Sequence, residues 1–496
     1  MTFRLAAVLL TTAVVSTSWA ISADDATKTS SKETTSRTKH SITIDGKKIE
    51  FEATAGTMLM KDDEGKHQAS IFYVSYVKTQ EEPGKRPITF CLNGGPGSSS
   101  VWLHMGAFGP RRVVLSDEGE APSPPAKVVE NQESLLDLTD LVFIDPVSTG
   151  YSRAAEEKNA KQFHGVQEDL QSVGDFIRLY TTRNGRWDSP KYLAGESYGT
   201  TRAAGLANHL ASRLGMRLNG ILLVSSILNF GTARFDDGND LPYPLFLPSY
   251  TATAWYHKKL APSLQDDLRK TLAEVEKFAK GEYAAALFKG AELADSERQE
   301  IAAKLARYTG LSEQYILRAD LRIEGQRFMR ELLRDRGQTV GRYDSRLLGK
   351  DTTDVAERPE YDPSYAAVQG PYTEALNAYV RGELKYENDL PYEILSGRVQ
   401  PWNFGSASNR YLNIAPSLRS AMAANADLRV FVANGYYDLA TPYAATQYTF
   451  SHLGTDRKIL DRVTMAYYEA GHMMYIHKPS RLKLRKDVAA FLTAKP

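Results

Sequence analysis

Apolar and polar positions follow two rhythms along much of the chain. Runs of nearly continuous apolar residues, which are typical of buried strands in a parallel sheet, occur at 87–92, 141–146, 220–225, 428–433 and 463–468. Stretches with an apolar residue every three or four positions, such as 163–181, 201–214 and 480–493, predict helices. Strands that alternate with helices imply a largely parallel sheet, so the predicted fold class is α/β.

Two regions depart from this rhythm. Residues 41–78 alternate apolar and polar side chains around an Asp45-Gly46 turn, which predicts antiparallel strands. The segment 231–405 loses the strand–helix alternation and predicts an inserted, mostly helical cap, with a proline-containing loop at 241–248. The predicted division is therefore a first core segment at 41–230, the cap at 231–405, and a second core segment at 406–496.

The first forty residues have the composition of targeting and leader sequence. Arg4 precedes an apolar run, and small residues occupy Ser18 and Ala20, which predicts a secretory signal peptide over residues 1–20. The apolar run is too short to cross a bilayer. Residues 21–40 are rich in Ser, Thr, Lys and Asp, which predicts a disordered leader. We expect an exported protein without a membrane span, located in the periplasm or in the medium.

Composition excludes several kinds of chemistry. The net charge of the 496 residues is +1, and no basic stripe is present, which argues against nucleic-acid binding. Cys91 is the single cysteine, so no internal disulfide is expected. The chain has nine histidines, no His-Glu-x-x-His pattern and no cysteine cluster, so neither a catalytic metal nor another cofactor is predicted.

The segment from Lys191 to Thr200 carries the strongest chemical signal. A β-prone run leads into Gly195-Glu196-Ser197-Tyr198-Gly199, and the helix predicted over 201–214 follows. A Gly-x-Ser-x-Gly pattern between a strand and a helix is typical of a nucleophile elbow. The flanking glycines give clearance to a serine held in a strained conformation. The pattern predicts that Ser197 is a nucleophile.

A serine nucleophile needs a base and a group that orients the base. Asp438 follows the apolar run at 428–433, and His472 follows the run at 463–468 as part of a Gly-His pair. In an α/β-hydrolase arrangement the nucleophile, the acid and the histidine come in this order, each after a later strand. The predicted triad is Ser197, Asp438 and His472.

Acyl transfer also needs hydrogen-bond donors for the oxyanion that forms on attack. One predicted donor is the backbone N–H of Tyr198, the residue after the nucleophile. The other is the backbone N–H of Gly95, in the loop Asn93-Gly94-Gly95-Pro96-Gly97 that ends the apolar run at 87–92.

These motifs together resemble the serine carboxypeptidase family. The similarity extends over blocks on both sides of the predicted cap: Asn93 to Ser100, Phe143 to Ser152, Gly195 to Gly199, Gly435 to Asp438 and Gly471 to Met473. The resemblance implies an α/β-hydrolase core with a helical cap, and an enzyme that removes C-terminal residues from peptides at acidic pH. It also implies that Asn93, with the adjacent Gly94, and Glu196 help to bind the terminal carboxylate of the substrate. A carboxyl in a water-poor pocket favours its neutral form, which can donate a hydrogen bond to that carboxylate.

The chain departs from the family at the site for the terminal carboxylate. A second family glutamate, which pairs with the first, is replaced here by Ala107. Arg111 and Arg112 follow closely, and they are either bidentate ligands of a carboxylate or solvated surface charges. Ser98 stands where the family usually has a cysteine, so the disulfide of the related enzymes is not expected.

The leading hypothesis is an exported serine carboxypeptidase that acts on peptides through an acyl-enzyme. The alternative is an esterase, amidase or acyltransferase on the same scaffold, which Ala107 makes credible. An inactive exported binding protein is a third reading, and the presence of all three triad residues argues against it. A group of cap aromatics either suits apolar substrate side chains or forms the cap core: Tyr243, Phe246, Tyr250, Trp255 and Tyr256. The sequence predicts neither side-chain preference nor oligomeric state.

Overall fold

The structure is a computed structural model that describes residues 32–79, 81–454 and 456–494. The predicted signal peptide at 1–20 and residues 21–31 of the predicted leader lie outside the described residues. The strands are β1 (Thr35–Ile44), β2 (Lys47–Lys61), β3 (His67–Lys78), β4 (Ile88–Leu92), β5 (Arg111–Val113), β6 (Val128–Glu130), β7 (Asp140–Ile144), β8 (Arg153–Ala154), β9 (Lys191–Glu196), β10 (Gly220–Val224), β11 (Thr339–Val340), β12 (Leu348–Gly349), β13 (Arg429–Gly435) and β14 (Val463–Tyr468).

Helices connect these strands and make up most of the chain between β10 and β13 in sequence. They are α1 (Val166–Arg183), α2 (Tyr198–Leu214), α3 (Pro242–Tyr256), α4 (Pro262–Gln265), α5 (Leu268–Phe278), α6 (Ala284–Lys289), α7 (Asp295–Thr309), α8 (Glu313–Arg318), α9 (Gly325–Glu331), α10 (Pro363–Gly382), α11 (Ala415–Ala424), α12 (Tyr443–Ser451), α13 (Arg457–Leu460) and α14 (Lys478–Thr493). In the described part of the chain, no helix is both long and apolar enough to cross a membrane.

Within the described residues, one large sheet organises the molecule. Its strand order is β1-β2-β3-β7-β4-β9-β10-β13-β14, with β8 paired to β3. The strands from β1 to β3 pair in antiparallel fashion, and all pairs from β7 to β14 are parallel. An antiparallel start that leads into parallel strands, with helices on both faces, is an α/β-hydrolase fold, and it confirms the predicted α/β class.

Burial on both faces explains why the central strands are apolar at every position. All five residues of β4 are buried. Its Phe90 and Leu92 pack in the apolar cluster that includes α1, α2 and α11, whereas Cys91 packs in the opposite cluster, which includes α10 and α14. Cys91 is a free thiol in this layer. A strand covered by helices on both sides loses the alternating pattern of a half-exposed strand.

The prediction of a disordered leader is wrong for residues 35–40. These residues form the first half of β1, and Thr35 lies opposite Gly56 while His40 lies opposite Phe51 of β2. None of the six side chains is buried, and they alternate between exposed and half-buried. The backbone ladder holds this half strand with little apolar burial, so its composition resembles that of a disordered segment.

The prediction of a loop at 241–248 is also wrong. Helix α3 begins at Pro242, and its first turn contains Pro244. Proline is tolerated there because the first N–H groups of a helix have no acceptor within the helix. Pro248 lies inside α3, and the helix is almost entirely buried. Tertiary burial therefore overrides the local proline signal.

The segment 231–405 lies between two strands that are neighbours in the sheet. β10 pairs in parallel with β13, with Gly220 opposite Arg429. Helices α3 to α9 of this segment have an apolar cluster of their own, which contains Phe246, Tyr250 and Phe328. The end of the segment returns to the glycine-rich loop, where Ser99 N–H donates to Ile394 C=O at 3.0 Å and Ser396 N–H donates to Gly97 C=O at 2.8 Å.

Candidate active site

The predicted triad residues meet at the carboxyl ends of neighbouring strands. Ser197 directly follows β9, Asp438 follows β13, and His472 follows β14. Ser197 and His472 line one cleft, and Asp438 is completely buried behind the histidine. Ser197 and His472 are 275 positions apart in the sequence. They come together because β9, β10, β13 and β14 are neighbours in the sheet.

Ser197 has the backbone conformation expected of an elbow. Its φ is 59° and its ψ is −127°, in a region that non-glycine residues rarely adopt. A Cβ added to Gly195 would lie 2.1 Å from the carbonyl oxygen of Gly199, so the turn can close only with glycine at position 195. The strained turn points the serine out of the sheet at the start of α2.

Asp438 fixes the orientation of the histidine ring. His472 Nδ1 lies 2.7 Å from Asp438 Oδ2, and Asp438 Oδ1 accepts the backbone N–H groups of Ala440 at 2.7 Å and Thr441 at 2.9 Å. Nδ1 therefore donates, which makes Nε2 the acceptor of the neutral ring. Nε2 is buried and has no hydrogen-bond partner among the described residues, so the bond to the Ser197 hydroxyl is not formed in this structure. Such bonds often tighten only when substrate binds.

Thr441 also holds this pair, and the sequence analysis missed it. Its hydroxyl lies 2.8 Å from Asp438 Oδ2, 3.1 Å from His472 Nδ1 and 3.1 Å from the carbonyl oxygen of Ser225. The threonine follows Asp438 by three residues, a spacing that would have been a usable signal. The hydroxyl restricts the carboxylate to the position in which it faces the imidazole.

The glycine-rich loop approaches the elbow closely. A Cβ added to Gly94 would lie 2.4 Å from the backbone nitrogen of Tyr198, and Gly95 has a φ of +101°. Gly94, Gly95 and Tyr198 all line the cleft. The N–H of Tyr198 is the first of α2 and has no acceptor within that helix. The two predicted oxyanion donors therefore belong to segments in direct contact.

A buried ion pair holds the glycine-rich loop in place. Arg202 of α2 makes a bidentate contact with Asp169 of α1, with distances of 2.6 Å and 3.2 Å. The same guanidinium donates to the carbonyl oxygen of Asn93. Both charged side chains are almost fully buried. The pair links the two helices to the loop, and nothing in the local sequence around Arg202 indicates this contact.

Glu196 lies beside the nucleophile and lines the cleft, although it is only 3% exposed. The Tyr475 hydroxyl donates to its Oε2 at 2.7 Å. Burial raises the pKa of Glu196 to about 7, while His472 and the Tyr475 hydrogen bond oppose this rise. Nearby, Asn93 accepts the backbone N–H of Leu103 through Oδ1, and its buried Nδ2 faces Glu196, where it also opposes the rise in the pKa of that carboxyl. The cleft therefore contains a carboxyl that is neutral below about pH 7, and the Asn93 amide lies beside this carboxyl, behind the residues that line the cleft.

The position of the missing second glutamate is filled by apolar and aromatic groups. Ala107 is buried in the helical turn Leu103–Phe108. A Cβ added to the preceding Gly106 would meet the Tyr372 hydroxyl at 2.4 Å and the Tyr475 ring at 2.5 Å. Tyr475, rather than a second carboxyl, is thus the direct hydrogen-bond partner of Glu196.

Arg111 and Arg112 do not line the cleft. Arg111 lies 3.0 Å from Glu383 and 3.6 Å from Glu130, and Arg112 lies 3.9 Å from Glu133. The cleft is instead lined by two other arginines, Arg234 and Arg342, which the sequence analysis did not single out. The cap aromatics that were considered for substrate binding do not line it either, and four of them pack in or against the cap cluster that contains Phe328. Among the described residues, no group of His, Cys, Asp and Glu is arranged to hold a metal ion.

A strained serine next to a histidine–aspartate pair, at the carboxyl edge of an α/β-hydrolase sheet, is the arrangement of the serine hydrolases. A family model described as serine carboxypeptidase matches residues 44–475. The chain belongs to the serine carboxypeptidase family, and it is a hydrolase of the serine-type carboxypeptidase class.

The chain is similar to known proteins over different shares of its length. Serine carboxypeptidase-like 34 of Arabidopsis thaliana is 25% identical over 422 residues, which cover 82% of this chain and 75% of that protein. The pheromone-processing carboxypeptidase KEX1 of Cryptococcus gattii is 31% identical, but the match covers only 25% of this chain and 18% of that protein. Among solved structures, a thermostable carboxyl esterase from Bacillus coagulans aligns with 88% of this chain and 97% of its own, at 12% identity and a TM-score of 0.37.

Proposed function

We propose that the protein releases C-terminal residues from peptides through an acyl-enzyme on Ser197. His472 Nε2 accepts the proton of the Ser197 hydroxyl as its oxygen attacks the carbonyl carbon, and Asp438 orients the ring and stabilises its positive charge. The proton then passes to the departing amine, the C–N bond breaks, and water resolves the ester in the same way. The observation that carries this proposal is the buried His472–Asp438 contact, with Nε2 left free in the cleft that Ser197 lines.

The backbone N–H groups of Gly95 and Tyr198 are the proposed oxyanion donors. The contact of Gly94 with the nitrogen of Tyr198 supports this role, because it brings the loop and the elbow to the same point. Arg202 supports it as well, since its guanidinium donates a hydrogen bond to the carbonyl oxygen of Asn93 and so limits movement of the loop. Fixed donors of this kind stabilise charge that develops only in the transition state.

We propose that Glu196, Asn93 and Gly94 bind the terminal carboxylate of the substrate. The Tyr475 hydroxyl donates a hydrogen bond to Oε2 of Glu196. In the neutral carboxyl, Oε1 is therefore the oxygen that can hold the proton and donate it in a hydrogen bond to the substrate. Because the pKa of Glu196 is raised to about 7, the neutral donor form predominates below that pH and the repelling carboxylate predominates above it. Activity on substrates with a free C-terminus is therefore expected to be best on the acidic side of about pH 7.

The competing proposal is an esterase, amidase or acyltransferase on the same scaffold. The observation in its favour is that Ala107 leaves Glu196 without a second carboxyl. A blocked dipeptide with a free C-terminus and the corresponding amide separate the two proposals. A strong preference for the free acid supports the carboxypeptidase, and equal rates support the alternative.

The nucleophile is tested with a radiolabelled organofluorophosphate. The wild type is expected to lose activity and to take up label, and Ser197→Ala is expected to do neither beyond background. Ser212→Ala is the matched control, because Ser212 is an exposed serine of α2, the helix that begins after Ser197. Full peptidase and esterase activity in Ser197→Ala would refute the assignment.

We also propose that residues 1–20 direct export of the chain. The charge, apolar run and small residues of this segment support the proposal. Sequencing of the N-terminus of the mature protein, recovered from the periplasmic and medium fractions, tests it. An intact Met1 on protein retained inside the cell would contradict it.

A further inference from the structure

Two guanidinium groups line the cleft without a role in the chemistry proposed above. Arg234 follows β10 at the start of the cap, and Arg342 follows β11. Each lies over an aromatic ring of the same cleft: Arg234 Cζ is 5.8 Å from the centre of the Phe230 ring, and Arg342 Cζ is 4.4 Å from the centre of the Tyr343 ring. Stacking on a ring limits the conformations of an arginine and leaves the edge of the guanidinium free for a ligand.

The two rings connect these arginines to the reacting groups. The centres of the Tyr343 and His472 rings are 5.1 Å apart. The backbone carbonyl of Tyr343 also accepts the backbone N–H of His472 at 2.5 Å. The Phe230 ring is centred 6.3 Å from the ring of Tyr198, the residue after the nucleophile. One arginine thus stacks on a ring that contacts the ring of His472, and the other stacks on a ring that contacts the ring of Tyr198.

The protein neutralises the two charges to different extents. Arg342 Nε is 3.9 Å from Asp362 Oδ2, beyond hydrogen-bond distance. The other oxygen of Asp362 accepts the backbone N–H groups of Arg342 at 3.0 Å and of Ser364 at 3.0 Å, so this carboxylate lies beside Arg342 and offsets part of its charge. Among the described residues, Arg234 has no carboxylate within 4 Å. Arg111, by comparison, lies 3.0 Å from Glu383 and outside the cleft.

The rest of the cleft does not compensate this charge. Its titratable lining residues are Glu196, Tyr198, Arg234, Arg342, Tyr343, Tyr365 and His472. Glu196 is the one carboxyl among them, and it is largely neutral below about pH 7 because burial raises its pKa. The lining of the cleft therefore carries two guanidinium charges, and the nearest ionised carboxylates are Asp362 beside Arg342 and Asp438 behind His472.

We propose that Arg234 and Arg342 form a carboxylate-binding site in the cleft and that this site selects substrates bearing a carboxylate near the scissile bond. The inference rests on the proposed function and adds the substrate class to it. The carboxylate comes either from an acidic side chain next to the scissile bond or from the C-terminus of the departing residue. In both cases the contact is a charge-assisted hydrogen bond from a planar guanidinium, for which arginine is better suited than lysine.

The test uses blocked dipeptides in matched pairs. One pair differs by Glu or Gln before the scissile bond, a second differs by Glu or Gln after it, and a third compares a free C-terminus with its amide. The kcat/KM ratio within each pair is measured for the wild type, Arg234→Gln, Arg342→Gln and the double variant. The Glu/Gln pairs and the acid/amide pair identify the source of the carboxylate.

In the double variant, the ratio of at least one pair is expected to fall by about tenfold to 100-fold, with smaller losses in the single variants. Arg112→Gln is the control, because this arginine is half-buried, as Arg342 is, but lies outside the cleft. Unchanged ratios in all three pairs of the double variant would overturn the proposal. An equal loss in Arg112→Gln would overturn it too.

Binding by calorimetry separates this proposal from the hydrolytic one. The same dipeptides are titrated into Ser197→Ala, with and without the two arginine substitutions. Loss of the Glu-over-Gln or acid-over-amide preference in binding supports the arginine site even when no dipeptide is hydrolysed. Binding that is identical with and without the arginines refutes the site, whatever the outcome for the nucleophile.

Discussion

The sheet edge and the cap supply opposite kinds of residue to one cleft. At the edge, Glu196, Asp438 and His472 are at most 3% exposed, and each has a hydrogen-bond partner inside the protein. From the segment that leads into and forms the cap come Arg234, which is exposed, and Arg342, which is half-buried; both lie on aromatic rings. Groups that stabilise a transition state must be fixed before the reaction, whereas groups that select a substrate must be reachable from solvent. This difference supports the proposed division, in which the edge performs the chemistry and the cap side selects the substrate.

The largest expected effect is at the edge. Asp438→Asn places an amide where Oδ2 now accepts the proton of His472 Nδ1, which favours the wrong tautomer of the ring. We expect kcat to fall by about 10⁴-fold with little change in KM. Steady-state kinetics on a blocked dipeptide measures this. Asp427→Asn, at an exposed position just before β13, is the control. A loss smaller than about tenfold would mean that Asp438 does not orient the base.

The second effect is on the cap and concerns stability rather than chemistry. Phe328 is fully buried in the cap cluster and stacks on Tyr250 with ring centres 4.1 Å apart. Phe328→Ala is expected to lower the free energy of unfolding by about 3–5 kcal/mol, because it leaves a cavity. Phe288→Ala, at a residue that is 93% exposed, should change it by less than about 0.5 kcal/mol. Denaturant titration measures both values.

The kinetics of Phe328→Ala test whether the core of the cap affects substrate selection. Phe328 does not line the cleft, so the kcat/KM ratio for each matched dipeptide pair should stay at the wild-type value per folded molecule. A changed ratio would show that selection depends on the whole cap core, and not on the arginines at the cleft alone.

The sequence predicted the sheet edge far better than the cap side. Strands buried on both faces leave continuous apolar runs, and β10, which is buried at every position, begins at the predicted residue 220. The approach of Ser197, Asp438 and His472 follows from strand adjacency, so it could be expected from their order along the chain. The catalytic roles of these residues and of Gly95 remain predictions.

Contacts made across the fold could not be predicted. Tyr475 and Glu196 are 279 positions apart, and Arg202 and Asn93 are 109 positions apart. Arg234 and Arg342 reach the cleft from separate connections, with no motif around either residue. Local signals also failed where tertiary structure overrides them, as in α3, which contains several prolines, and in the polar first half of β1.

The smallest expected effect concerns the hydrogen bond that Tyr475 makes to Glu196 at the position where the second glutamate is missing. Tyr475→Phe removes the hydroxyl that donates to Glu196 Oε2. That hydrogen bond favours the ionised form, so its loss should raise the pKa of Glu196 above its present value of about 7. The other groups around this carboxyl are unchanged by the substitution: Asn93, Tyr343, Tyr372, Asp438 and His472.

A higher pKa keeps Glu196 protonated, and able to donate to a substrate carboxylate, to a higher pH. The alkaline limb of kcat/KM for a free-acid dipeptide should therefore move upward by about one pH unit. The amide of the same dipeptide is the control, because it has no terminal carboxylate for Glu196 to bind, and its profile should not move. A purely structural role for Tyr475 would lower activity on both substrates without moving either limb. A downward shift for the free acid would show that Tyr475 keeps Glu196 protonated, which reverses the direction inferred from its hydrogen bond.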